Sequence, residues 1–221
     1  MPDIAWLKTN NPHETALMAF RRVEAQLQNR RPHRYWRRVP LGRISPYLIQ
    51  AVLIAEDDKF FEHEGFDWAS MRKALEANIK KKKVLRGGST ITQQLAKNLY
   101  LSPSQSVIRK VREAAIAFML EHTLSKKRIL ELYLNIIEWG DGIFGAEAAA
   151  RMYFGKPAMA LSLAEAIRLA SVLPNPHRFS PTRSNSRRMN RKRRIIAERM
   201  RQRGLISAAQ YPFVLSELNS D

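Results

Sequence analysis

The sequence predicts a single, mainly α-helical domain, and three kinds of observation support this prediction. Apolar residues recur at helical spacing through most of the 221-residue chain. Capping sequences stand in front of several of these segments. Alternating apolar and polar residues, which are typical of strands, are nearly absent. The hydrophobic fraction of 45% is enough for a buried core in a chain of this length.

The first clear helix is predicted to begin at residue 46. Ser45 followed by Pro46 has the pattern of an N-cap and a first helical residue. The residues that follow at i, i+3, i+4 and i+7 share one helical face; they are Ile49, Val52, Leu53 and Glu56. We therefore expect Glu56 to lie at the end of a buried stripe.

The remaining helices are predicted from their caps and apolar periods. The segment "FDWASMRKALEANIKKKK" has apolar residues at near-helical spacing, and it lies before the first capping pair. The capping pairs are Thr90 with Gln93, Ser162 with Glu165, and Ser207 with Gln210. Between the first two pairs lie the amphipathic segment "QSVIRKVREAAIAFMLEHTL", the segment "KKRILELYLNIIEW" capped by Ser125, and, after glycine-containing loops, "GAEAAARMYF". Only residues 34–41, "RYWRRVPL", suggest a short extended segment.

Charge and composition restrict the partners and the chemistry. Lys and Arg number 38 against 20 Asp and Glu, a formal charge of +18, so we expect an anionic partner. The chain has no cysteine, which excludes disulfides and thiolate catalysis. No apolar run reaches the roughly 20 residues that span a bilayer. If the natural protein has a membrane anchor, we expect it upstream of this chain.

Two glutamates stand out as candidate functional residues. An apolar stripe that ends at Glu56 would remove its carboxylate from water, as in a catalytic acid or base. The alternative is that Glu56 marks the solvent end of a helix. Glu113 follows Arg109 and Lys110 by four and three residues, so the three share one helical face. A basic residue that precedes an acidic one stabilises a helix less than the reverse order does. Helix stability from surface ion pairs therefore explains this arrangement poorly.

Between these glutamates, a glycine pair leads into a predicted helix. Gly87 and Gly88 allow a close-approaching backbone, and the following helix N-terminus favours an anion such as phosphate. No Gly-Lys-Ser/Thr follows, which argues against a P-loop. The five histidines show no paired metal-ligand spacing, so no metal site is predicted.

Several long blocks occur in an order that resembles a known enzyme family. They are "EDDKFFEHEGFDW", "RGGSTITQQLAKNLYL", "RKVRE", "KKRILELYLNIIEWGDGIFGAEAAARMYFGK" and "LAEAIRLASVLPNPHRFSP". The order resembles that of the peptidoglycan glycosyltransferases, glycosyltransferase family 51, and most closely their monofunctional biosynthetic type. The blocks occupy about residues 44–181 of a single domain over 1–221, with basic C-terminal helices at 182–221.

The resemblance implies a fold and a reaction. The fold would be a lysozyme-like helical domain with a cleft and a smaller, membrane-proximal lobe. The reaction would polymerise lipid II into β-1,4-linked glycan strands, inverting the donor anomeric carbon and releasing undecaprenyl diphosphate. Assistance by Mg²⁺ or Mn²⁺ occurs in the family, although no cofactor is required by this sequence.

By match to the family blocks, Glu56 would be the general base and Glu113 the second essential carboxylate. Glu113 would orient nearby cations, help to hold a divalent metal, or assist the leaving group. The residues that would bind the diphosphate or the sugars are Ser89, Thr90, Gln93, Gln94, Lys97, Arg109, Lys110 and Lys126. Asn135 and Glu147 would organise the cleft.

The expected partners are lipid II, the growing glycan strand, an anionic membrane surface and other cell-wall synthesis proteins. The resemblance places the catalytic domain on the outer face of the cytoplasmic membrane. Segment 66–83 combines apolar residues with a lysine run, which is typical of a membrane interface, although an ordinary amphipathic helix is the alternative. Ten Lys or Arg residues between Arg183 and Arg203 would contact anionic lipid, solvent or nucleic acid.

Two other classes of protein compete with this interpretation. A helical nucleic-acid-binding protein would explain the charge, but it would leave the ordered acidic blocks unexplained, and no nucleic acid is expected as a partner. A catalytically inactive scaffold would require the loss of an essential carboxylate, and both Glu56 and Glu113 are present.

Overall fold

The computed structural model describes residues 2–81, 88–103, 106–183 and 186–219. Within these residues the α-helices are α1 Ala16–Leu27, α2 Pro46–Glu56, α3 Trp68–Lys81, α4 Ile91–Tyr100, α5 Val107–Thr123, α6 Lys126–Ile136, α7 Ala146–Phe154, α8 Leu163–Val172, α9 Arg187–Gln202 and α10 Tyr211–Asn219. The strands are β1 Tyr35–Trp36, β2 Glu138–Gly140 and β3 Ile143–Phe144. The prediction of a mainly α-helical protein is confirmed.

The contacts between residues divide the chain into two compact units. The first unit comprises Met1–Glu24 and Lys59–Tyr133, and the second comprises Ala25–Asp58 and Leu134–Asp221. Two of the three boundaries fall inside α1 and α6, and the third lies between α2 and α3. The single domain over residues 1–221 stays a prediction, and the two units are described separately.

In the first unit, α4 packs on α5. Both helices begin at side-chain caps: Thr90 and Gln93 form the predicted capping box of α4, and Ser106 accepts a hydrogen bond from the Arg109 amide at the start of α5. Each helix buries an apolar face, with Leu95 of α4 and Leu120 of α5 both fully buried. These caps and faces fix the two helices that carry most of the predicted binding residues.

In the second unit, α2 packs against α8 and α9, and α10 packs against the same two helices. The buried face of α9 follows helical spacing and consists of Met189, Arg193, Ile196, Ala197 and Met200. The helix α2 is almost entirely apolar, and its Leu48, Val52 and Leu53 are buried. This packing fixes the end of α2, where Glu56 lies.

The second unit also contains the small sheet, in the order β1, β3, β2. The strand β1 runs parallel to β3, and β2 is antiparallel to β3. The extended segment predicted at 34–41 is confirmed by β1. The hairpin of β2 and β3 was not predicted: Glu138 and Trp139 were assigned to the end of the helix capped by Ser125, and the residues after them to glycine-containing loops, and both assignments were wrong. Strands of two or three residues are too short to show an alternating pattern.

The helix starts agree well with the predictions. The capping boxes at Ser162 and Ser207 are present, and Ser125 accepts a hydrogen bond from the Arg128 amide. The helix α2 begins at Pro46 as predicted, although the Ser45 hydroxyl donates to the Leu161 carbonyl instead of capping the helix. Among the described residues, no helix combines the length and apolar composition needed to cross a bilayer.

Candidate active site

Glu56 is the last residue of α2 in the second unit, at the end of the apolar stripe. Its side chain is 13% exposed, and Lys192 Nζ of α9 lies 3.5 Å from its Oε1 atom. The prediction that Glu56 ends a buried stripe is confirmed. Burial lowers the pKa of the Lys192 ammonium, and attraction by Glu56 opposes that shift. Lys192 is a site candidate that the sequence interpretation missed.

The two aspartates after Glu56 differ in their surroundings. Asp57 is buried, and its backbone amide donates to the Leu53 carbonyl at the end of α2. Asp58 is exposed and pairs with Arg203 at 2.7 Å and with Arg199 at 3.8 Å. Basic residues at the end of α9 therefore neutralise acidic charge beyond the end of α2.

Glu113 lies on α5 in the first unit and is 2% exposed. Arg109 Nη1 donates to Glu113 Oε2 at 2.6 Å, and Lys110 Nζ donates to Glu113 Oε1. Lys110 also donates to the Ser89 hydroxyl at 3.0 Å. The structure therefore brings together four of the predicted residues, Ser89, Arg109, Lys110 and Glu113, in one hydrogen-bonded cluster.

The segment before α4 holds Ser89 and Thr90 in place. The Thr90 hydroxyl donates to the Gly65 carbonyl at 2.7 Å and accepts from the Gln93 amide. Gly65 has a φ of +88°, and a Cβ there would lie 2.9 Å from Glu121 Cγ, so only glycine fits. A Cβ at Gly88 would lie 3.1 Å from Met71 Cα, so the backbone at Gly88 approaches Met71 closely, and the anion site predicted at this glycine pair stays a prediction.

Lys126 belongs to a second cluster in the first unit. Lys126 Nζ donates to Glu121 Oε1 at 2.8 Å, and the Thr92 hydroxyl donates to the same oxygen. The Lys126 ammonium also lies 4.5 Å from the centre of the Phe60 ring. Glu121 has a side chain only 5% exposed, and the sequence interpretation missed it. Its position two turns after Glu113 on the same helix was the available signal.

The other predicted residues of α4 have mixed surroundings. The buried Gln93 side chain accepts from the Thr90 amide as part of the capping box. Gln94 accepts a hydrogen bond from the Tyr133 hydroxyl at 3.0 Å. Lys97 is partly buried in the last turn of α4. The side chain of Gln93 is thus engaged in helix capping, whereas Lys97 is partly accessible.

Asn135 and Glu147 join elements within the second unit. The Asn135 amide group exchanges two hydrogen bonds of 2.9 Å with the backbone of Val39. Glu147 accepts from the Ala158 amide and from Arg151 Nε. Both side chains are buried and link segments that are distant in sequence. Their expected role in organising a cleft stays a prediction.

One group of side chains in the described residues has donor atoms close enough to share a metal ion. It consists of Glu138, Asp141 and His177, whose ligand atoms lie within 4.8 Å of one another. His177 already pairs with Glu138 at 3.0 Å, and Asp141 pairs with Arg30 at 3.1 Å. No spacing pattern in the sequence indicates this group, because His177 is far from the other two residues along the chain.

The basic residues of α9 have divided roles. Arg193 is 1% exposed and donates to the Pro181 carbonyl. The first half of the helix carries four exposed arginines, Arg187, Arg188, Arg191 and Arg194, and its last turns carry two more, Arg199 and Arg201. Parts of two other predictions, Gly87 and the end of the lysine run at Lys82 and Lys83, lie outside the described residues.

The chain is similar in sequence to known proteins. The transglycosylase family model matches residues 23–201. The biosynthetic peptidoglycan transglycosylase of Azoarcus sp. (strain BH72) is 54% identical over 178 residues, which cover 80% of this chain and 76% of that protein. The protein of the same name from Laribacter hongkongensis (strain HLHK9) is 48% identical over 197 residues, covering 89% and 86%.

A solved structure, penicillin-binding protein 1A from Haemophilus influenzae, aligns with 84% of this chain at a TM-score of 0.47 and 24% identity. The aligned part is 18% of that protein's chain.

Proposed function

This chain belongs to the transglycosylase family, and from this premise we propose that it polymerises lipid II into β-1,4-linked glycan strands. Family membership makes it a peptidoglycan glycosyltransferase; the proposal adds the course of the reaction and the residues involved. The observation that carries the proposal is the position of the Glu56 carboxylate, which is 13% exposed at the end of an apolar helix. Glu56 also lies in the sequence block in which the resemblance to the family implies a general base.

Glu56 accepts the proton of the acceptor's 4-hydroxyl group. As the proton moves to a carboxylate oxygen, the hydroxyl oxygen attacks the donor anomeric carbon from the face opposite the diphosphate. A bond forms between that oxygen and the anomeric carbon, and the bond from carbon to diphosphate breaks, which inverts the centre. A partly desolvated carboxylate suits this role because water competes less for its lone pairs.

The leaving diphosphate takes the electron pair of the broken bond and needs cations to stabilise it. Arg109 and Lys110 offer two cations on one face of α5, and Lys110 is 45% exposed. Lys126 supplies a third in its own cluster with Glu121. Cations that are already fixed stabilise developing charge without reorganising during the reaction. Ser89 and Thr90 position this region, and Gln94 and Lys97 are proposed to contact the sugars.

Glu113 orients the cations that bind the diphosphate. Both of its oxygens accept hydrogen bonds from Arg109 and Lys110, so each cation has a fixed position on α5. The same contacts argue against a divalent metal at this carboxylate, because the ion would have to displace two cations. No step of the reaction is therefore assigned to a metal at Glu113.

We also propose that the enzyme works at the outer face of the cytoplasmic membrane. Large apolar side chains are exposed on two helices of the first unit: Trp68 at the start of α3, and Val107, Ile108 and Val111 on α5. Exposed apolar residues of this kind favour contact with a membrane surface. Lipid II and the growing strand are then both within reach of an enzyme held at that surface.

The test is incubation of the full chain with labelled lipid II in detergent, with and without Mg²⁺. We expect polymer from the wild-type protein and none from Glu56→Gln. No polymer from wild-type protein that is shown to be folded would contradict the proposal. Tight, salt-sensitive DNA binding without liposome binding would instead favour the nucleic-acid-binding alternative.

A further inference from the structure

We propose that Lys192 is a positioning residue for Glu56, which holds the carboxylate in one orientation and keeps a positive charge beside it. The inference rests on the proposed function of Glu56 as the base. It assigns a role to a residue of the basic C-terminal segment, for which the sequence predicted only a surface contact.

The packing of α9 places Lys192 beside Glu56. The helix buries its apolar face against α2 and α8, and the fully buried Arg193 donates to the Pro181 carbonyl. Arg199 and Arg203, further along the chain, pair with Asp58, two residues after Glu56. The helix is therefore attached at more than one point to the end of α2, so the Lys192 side chain is held where it meets Glu56.

The length of the contact suits a base. Lys192 Nζ lies 3.5 Å from Glu56 Oε1, whereas a strong hydrogen bond between an ammonium and a carboxylate measures about 2.7–2.9 Å. A short, strong bond would compete with the incoming proton. The longer contact places a positive charge beside the carboxylate without a short bond from Lys192 that would compete for the proton of the acceptor hydroxyl.

The charged groups around Lys192 predict how turnover depends on pH. Burial lowers the pKa of the Lys192 ammonium, Arg188 lowers it further, and Glu56 opposes both. On the neighbouring helices, Glu165 of α8 pairs with Lys156, and Arg168 of α8 donates to the Glu217 carbonyl of α10. The ammonium therefore loses its proton at a lower pH than an ordinary lysine.

The experiment measures kcat and KM for detergent-solubilised lipid II across pH, using the full chain. We expect Lys192→Met to lower kcat by about a hundredfold with little change in KM, as for a misplaced catalytic group. Lys192→Arg should recover most of the activity and shift the alkaline limb of the profile to higher pH, because a guanidinium stays charged. Arg191→Met, the neighbouring exposed cation, is the matched control and should behave as wild type.

A wild-type kcat in Lys192→Met, or an unchanged alkaline limb in Lys192→Arg, would overturn the role of Lys192. If Lys192→Met does not fold, the pH profile of Lys192→Arg still decides. The proposed function is tested separately: it fails if folded wild-type protein makes no polymer, whereas normal turnover in the Lys192 variants refutes only this inference.

Discussion

Arg109 donates a 2.6 Å hydrogen bond to Glu113, four residues later on α5. The Glu113 side chain is 3% exposed and that of Arg109 is 17% exposed, so both charges are largely removed from water. Desolvation of such a pair offsets much of its attraction, and the basic-before-acidic order adds little to helix stability. Positioning of the guanidinium explains the pair better than stability does.

Replacing Glu113 by Gln tests this positioning role. The variant keeps the side-chain volume but leaves Arg109 and Lys110 without their shared negative charge. We expect turnover to fall by about a hundredfold and the free energy of unfolding to fall by about 1–3 kcal/mol. Turnover and thermal melting should be measured together, with Glu76→Gln on α3 as the exposed control. A lower melting temperature with full activity per folded molecule would make Glu113 purely structural.

Replacing Glu56 by Gln tests the base. The change removes proton acceptance and alters little volume, so the fold and lipid II binding should persist while turnover falls by at least about a hundredfold. Polymer formation and lipid II binding are the measurements. The exposed Glu64, changed to Gln in the same block, is the control. Activity near that of the wild type would refute the assignment.

The pair of Glu121 and Lys126 can be tested by a double-mutant cycle. Glu121→Gln should retain the hydrogen bond from Thr92 but release the Lys126 ammonium, which raises KM for lipid II about tenfold if Lys126 binds the diphosphate. Lys126→Met should have a similar effect. Because the two residues touch, the double variant should lose less than the sum of the single losses. Strictly additive losses would show that Glu121 does not act through Lys126.

The exposed arginines of α9 test the membrane contact. Changing four of them, Arg187, Arg188, Arg191 and Arg194, to Gln should weaken association with anionic liposomes, with each charge contributing about 1 kcal/mol near the surface. Turnover in detergent near neutral pH should change little, because the four side chains are exposed and the loss of Arg188 only weakens a repulsion that lowers the pKa of Lys192. Co-sedimentation with anionic liposomes over a salt series measures the association. Loss of detergent activity at full stability would place this surface in the active site.

The sequence predicted features that depend on neighbours along the chain. The capping boxes at Thr90, Ser162 and Ser207 are determined within four residues, and so is the cluster of Arg109, Lys110 and Glu113 on one helical face. The apolar stripe that ends at Glu56 is equally local. These patterns, together with the ordered family blocks, were sufficient to predict helices, family and candidate carboxylates.

Only the tertiary structure determined which distant residues meet. Lys192 reaches Glu56 across 136 positions of the chain because α9 folds onto α2, and no spacing rule predicts that contact. Asn135 likewise meets Val39 across 96 positions. A periodic pattern specifies which face of a helix is buried, but the partner of that face is selected by packing of the whole unit, which is why these contacts had to be observed.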